Sequence, residues 1–97
     1  MRGRLALTLI FVLAGCASAQ VSARPLPTDV ASFIERRDAC DHFRNEEPYD
    51  AKRAAELRVK LAETCTGTDR QLAALKRKYA GNRKLMHRLS RYEDRVE

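Results

Sequence analysis

The sequence predicts an all-α fold: a small bundle of about four short helices, stapled by one disulfide and placed after an N-terminal signal peptide and tether. Three observations predict it. Beyond residue 27, apolar residues recur at steps of three and four, which lines one face of a helix. No segment alternates apolar and polar residues between turn signals, as a half-buried strand does. With the leader's Cys16 set aside, Cys40 and Cys65 remain as an even pair in a chain that carries an export signal.

The first element is the leader. Arg2 and Arg4 precede the uncharged run Leu5 to Gly15, and small residues come directly after it, which is the order of a secretory signal. As a helix that run rises only about 16 Å, whereas a bilayer core needs about twenty apolar residues. Two cleavage sites fit. Leu13-Ala14-Gly15-Cys16 matches the bacterial lipobox at all four positions, which makes 1–15 the signal peptide and Cys16 a lipidated N-terminus. Ala17-Ser18-Ala19 is an A-x-A site that takes 1–19 away and releases a soluble periplasmic or secreted protein. The lipobox is the preferred reading, because its match is complete, and several acyl chains on Cys16 hold stably where one holds only marginally. Ala17 is not the Asp that resembles an inner-membrane retention signal, so the outer membrane is favoured. The expected location is therefore lipid-anchored and facing the periplasm.

Composition limits the size of the folded part. The chain has 97 residues with 19 Lys+Arg and 13 Asp+Glu, and cleavage leaves 82 or 78 residues carrying +4. That is enough for one small domain, here 28–97, and for no second one. The segment 16–27 has no period, and Pro25 and Pro27 bias it to extended conformations, so it is expected to be a flexible tether.

The helices are expected in order. Thr28 or Asp29 caps a first helix whose Val30, Phe33, Ile34, Arg37 and Cys40 share a face. A second begins near Pro48 to Asp50, bears Ala51, Ala54, Leu57, Leu61 and Cys65, and stops at Gly67. Thr68 with Gln71 reads as a capping box for a third, bearing Leu72, Leu75 and Tyr79. Gly81-Asn82 breaks it. The fourth spans 83–96, with Leu85, Leu89, Tyr92 and Val96 on one side. A Cys40–Cys65 bridge forbids a tight turn at Pro48, so the first helix is expected to end by about His42. His42 to Tyr49 then runs back extended, pinned by Phe43 and Tyr49.

Charge is uneven along the chain. Asp29 to Glu63 carries nine acids and seven bases, while Arg70 to Arg91 carries eight bases and no acid. On the fourth helix Lys84, Arg88, Arg91 and Arg95 form a basic stripe beside the apolar one. This is the candidate face for an anionic partner, either an envelope polymer or an envelope protein. The plainer alternative is a solvated face, partly neutralised by Asp38, Asp41, Glu46, Glu47 and Asp50. No nucleic-acid partner is expected of an exported chain.

Catalytic, metal and cofactor chemistry is not expected. Cys40-Asp41-His42 supplies one C-x-H, with only Cys65 and His87 to complete a zinc site. The acids lack the Gly-punctuated spacing of an EF-hand, and adjacent Glu46 and Glu47 make a poor glycosidase pair. No Gly-rich phosphate loop or G-x-S-x-G elbow occurs.

The run Ala39 to Asp50, with Cys65-Thr66-Gly67-Thr68-Asp69, Leu72, Leu75 and Tyr79, resembles a group of small proteobacterial exported proteins to which no function is assigned. The resemblance covers about residues 33 to 93 and implies an envelope location without an activity. A looser likeness is to the lysozyme-inhibitor family, through Cys65, Asp69, Leu72 and Tyr79. Ala73 stands where that pattern has Asn, and the Tyr is displaced. The resulting expectation is a non-enzymatic envelope lipoprotein with a structural or protein-interaction role. Its alternative is a binding module working through the basic helix 83–96.

Overall fold

The computed structural model describes Gly15 and residues 25–97, so the signal peptide, the lipobox cysteine Cys16 and most of the tether lie outside the described residues. Four helices occur in order: α1 Thr28–Arg44, α2 Ala51–Cys65, α3 Thr68–Lys78 and α4 Arg83–Leu89. No strand occurs among the described residues. Cys40 and Cys65 are bonded, with their Cα atoms 4.9 Å apart. The all-α class and the staple are as the sequence predicts.

The buried face of α1 is Val30, Phe33, Ile34, Arg37 and Cys40, matching the spacing. Its two ends differ from expectation. Neither Thr28 nor Asp29 caps it: Pro27 occupies that position, and its carbonyl accepts the Ala31 amide at 2.9 Å. Asp29 is drawn away by Lys78 Nζ and the Tyr79 hydroxyl, which donate to it at 2.7 and 2.8 Å. At the other end α1 continues past His42 to Arg44. There the Asn45 side chain donates to the Asp41 carbonyl at 2.8 Å and the Glu46 amide to the Phe43 carbonyl at 3.3 Å, which satisfies two carbonyls of the last turn, and Arg44 pairs with the Asp41 side chain at 2.9 Å.

Residues 45–50 make the whole crossing to α2, and at about 3.3 Å each they reach about 20 Å. That sets the start of α2 a helix-length from Cys40, so its final residue returns to the bridge without an extended run from His42. Tyr49 is 82% exposed and pins nothing, while Phe43 is half-buried and meets the edge of His42. Asp50 caps α2 by accepting from the Arg53 amide at 2.7 Å.

Between α2 and α3, Gly67 takes φ 83°, a left-handed conformation that a Cβ would strain. The predicted capping box does not form. Thr68 is the first residue of α3 and fully buried; its hydroxyl donates to the Cys65 carbonyl at 2.7 Å and accepts from Arg37. Asn82 caps α4 through the Leu85 amide at 3.1 Å. The fourth helix is shorter than the sequence predicts, ending at Leu89 instead of 96. Beyond it the chain turns, and its backbone is bonded by side chains of α1 and α3 in place of helical partners.

One cluster forms the core: Val30, Phe33 and Ile34 of α1, Leu72 and Leu75 of α3, and Leu85, Leu89 and Tyr92 from α4 and just after it. Phe33 meets Tyr92 edge to face, with centroids 5.3 Å apart. α2 contributes no residue to this cluster, and Val59 on it is 57% exposed. Its buried residues are Leu57 and Cys65. The disulfide therefore fastens a lightly buried helix to a three-helix core. Arg36 reinforces the join by donating to the carbonyls of Glu63 and Thr66.

Candidate functional site

The contacts of α1 with α3 fix which charges share an end of the bundle. Asp29 at the start of α1 meets Lys78 and Tyr79 at the end of α3, while Arg37 meets Thr68 and Asp69 at the start of α3. The two helices are thus antiparallel. The start of α1, the end of α3 and the start of α4 lie together at one pole. Beyond α4 the chain reaches toward the other pole along α1: Tyr92 meets Phe33 and donates to Asp38 at 2.8 Å, and the Glu93 carbonyl reaches Arg37.

The first pole is basic. Arg77, Lys78, Arg83 and Lys84 are exposed there. Lys78 is paired with Asp29, but no carboxylate lies within ion-pair distance of Arg77, Arg83 or Lys84 among the described residues, which contain every Asp and Glu of the chain. The solvent side of α4, away from Leu85 and Leu89, is Arg83, Lys84, His87 and the half-buried Arg88.

Because α4 ends at Leu89, the expected stripe is split. Lys84 and Arg88 are on the helix, Arg91 is exposed in the turn after it, and Arg95 lies in the C-terminal tail. That tail is held at the opposite pole, where the neighbouring Val96 amide donates to Asp69. No single helical face from 83 to 96 therefore presents all four. Arg77 and Arg83 replace the distal pair in the basic cluster. Composition counts those two residues, but one-helix periodicity cannot assign them to a common surface.

The opposite pole is acidic and largely self-engaged. Asp38, Asp41, His42, Asn45 and Glu46 line a shallow depression open to solvent. Asp41 pairs with Arg44, and Arg53 grips Glu46 through two nitrogens at 3.0 and 2.7 Å. The Arg53 hydrogen bonds hold the Glu46 carboxyl below the ordinary range. Among the described residues no group of three or more His, Cys, Asp or Glu side chains is placed to hold a metal ion. The Cys40 sulfur is consumed in the bridge and leaves no thiol beside His42.

The constellation that sequence reasoning missed is buried. Arg37 was visible only as one member of an apolar face, yet it is fully enclosed. Its Nε donates to Thr68 Oγ1 at 3.1 Å, one terminal nitrogen to the Glu93 carbonyl at 3.0 Å, and the other to Asp69 Oδ1 at 2.6 Å. It also lies over the Phe33 ring at 5.6 Å. Asp69 in turn accepts the amides of Val96 and Glu97, and Glu97 Oε1 accepts the Asp69 amide at 3.0 Å. An arginine at a helical core position, with an acid downstream, is the signal that was available. The residues of the looser likeness are spent on the fold: Cys65 in the bridge, Asp69 in this network, Leu72 in the core and Tyr79 on Asp29.

No helix among the described residues is long and apolar enough to cross a membrane. No family model matches the chain, and neither a curated protein nor a solved structure matches it.

Proposed function

We propose that this is a non-enzymatic bacterial envelope protein: exported, held by lipid on Cys16 facing the periplasm at the outer membrane, and acting through structural association or protein interaction. The Cys40–Cys65 bridge carries the proposal, because a small domain with a thin core relies on such a staple and an oxidising compartment maintains it. The sequence features that support it are the leader and the four-position lipobox match. Intact mass of the membrane fraction, with alkylation in the absence of reductant, tests both halves. The expected protein begins at Cys16, carries lipid and offers no reactive thiol. A mature mass starting at Gln20 without lipid overturns the anchor, and two labelled thiols overturn the staple.

A second use of the same domain is supported by the unpaired cations at the α3–α4 pole and after α4. In it the basic surface binds an anionic envelope polymer or a periplasmic enzyme. Changing Lys84, Arg88 and Arg91 to Glu would then abolish salt-sensitive binding to outer-membrane material while leaving localisation intact.

A further inference from the structure

We infer that the basic pole is a membrane-facing surface: Arg77, Arg83 and Lys84 rest against the anionic phospholipid headgroups of the bilayer that holds the Cys16 anchor. The inference deepens the lipid-anchor proposal and rests on it.

Three observations carry it. The first is where the chain enters the fold. Thr28 begins α1 at the pole where α3 ends and α4 begins, because Asp29 is bonded to Lys78 and Tyr79. Cys16 precedes Pro25 by nine residues, so whatever path they take, Pro25 stays within about 32 Å of Cys16. The chain from the anchor therefore enters the domain at its basic end.

The second is that helix electrostatics accounts for Arg77 but not for Arg83 and Lys84. Lys76, Arg77 and Lys78 occupy the last turn of α3, where the helix dipole favours positive charge. Arg83 and Lys84 occupy the first turn of α4, where it opposes positive charge, and that turn holds no acid. Neither has a carboxylate partner among the described residues. An anionic surface provides the missing counter-charge.

The third is charge separation. Glu46, Glu47 and Asp50 lie past the far end of α1, about 25 Å from its start. That exceeds the Debye length of about 8 Å at physiological salt, so the acidic pole does not oppose the docking. Acyl chains combined with a basic patch form the two-signal attachment that stabilises peripheral proteins.

Co-sedimentation with vesicles tests the inference, every protein carrying Cys16→Ser on the same N-terminus so that no acyl chain contributes. Vesicles of phosphatidylcholine mixed with phosphatidylglycerol are compared with phosphatidylcholine alone. The expected result is preferential binding to the mixed vesicles that is lost at about 1 M salt. The variant Arg77→Glu/Arg83→Glu/Lys84→Glu should bind the mixed vesicles about tenfold or more weakly. The charge-matched variant Lys52→Glu/Arg58→Glu/Arg95→Glu, altered away from this pole, should change binding less than about twofold. Circular dichroism and the oxidised state of Cys40 and Cys65 check that both variants are folded. Equal loss in the two variants, or no preference for the mixed vesicles, overturns the inference, as does salt-sensitive capture by an acidic protein in its place. The intact mass of the wild-type protein decides the anchor separately, so failure of the anchor and failure of the surface are distinguishable.

Discussion

Arg37 and Asp69 face each other at 2.6 Å, the arginine fully buried on α1 and the aspartate partly exposed at the start of α3. Through this pair α1, α3 and the C-terminal tail share one polar junction. Removing the guanidinium takes the donor from Thr68 Oγ1 and the Glu93 carbonyl, and takes the charge partner from a carboxylate whose side chain is only 22% exposed and which keeps the Val96 and Glu97 amides. Arg37→Ala should therefore destabilise the domain by about 3 kcal/mol in urea unfolding. In a double-mutant cycle with Asp69→Ala the two losses should fall short of additive by about 1 kcal/mol or more. An additive cycle would refute the coupling.

Acid should loosen the same junction. Burial pushes the Asp69 carboxyl up, but the amides of Glu97 and Val96 and the Arg37 guanidinium outweigh it and hold the group below its ordinary 3.8. Bonds to the Gly67 and Asp69 amides likewise lower Glu97 from 4.5. Groups whose folded pKa is lowered contribute stability that is full above the unfolded value and lost as pH falls through the folded one. The melting temperature should be level above about pH 5 and fall progressively below about pH 4. In Asp69→Asn, already less stable at neutral pH, that fall should be shallower.

Alkali acts through Tyr92. Burial first, and then its hydrogen bond to Asp38, push the phenol up to about 12. A raised folded pKa means that the contribution is complete below about pH 10 and disappears as pH rises through about 12. Phenolate absorbance should show one tyrosine titrating late, and Tyr92→Phe should remove it. Tyr79 is also raised, by its bond to Asp29, so the assignment rests on the variant.

Reducing the bridge should free α2 first. With the cysteines 25 positions apart, the loop-entropy estimate is about 3.5 kcal/mol for Cys40→Ser/Cys65→Ser. Because α2 contributes nothing to the main core cluster, amide exchange in 51–65 should quicken more than in α1 or α3. Uniform acceleration would show instead that α2 is integral to the core.

Much of the fold was legible because helical spacing is a local property. The buried positions of α1, and the burial of Leu72, Leu75, Leu85 and Leu89, arise from steps of three and four in the sequence. The two capping assignments, Thr28 or Asp29 and the Thr68–Gln71 box, do not form for a physical reason: Asp29 and Thr68 are claimed by distant partners, Lys78 with Tyr79 and Arg37. The exposed Asp50 and Asn82, to which no cap was assigned, have no such competitor among the described residues and cap α2 and α4. The end of α4 was misplaced because the helical pattern of Leu85, Leu89, Tyr92 and Val96 persists where the backbone has already left the helix. Tyr92 keeps its buried place by packing on Phe33, not by helical phase.

By itself the sequence determined the helical class, the apolar faces and the pair of cysteines, since each depends on residue type and spacing over one or two turns. Only the tertiary structure decided that Arg37 is a buried junction, that α4 stops at Leu89, and that Arg77 joins Arg83 and Lys84 at the end where the chain enters the domain. Those outcomes depend on partners up to 56 residues away, and no local period encodes such a distance.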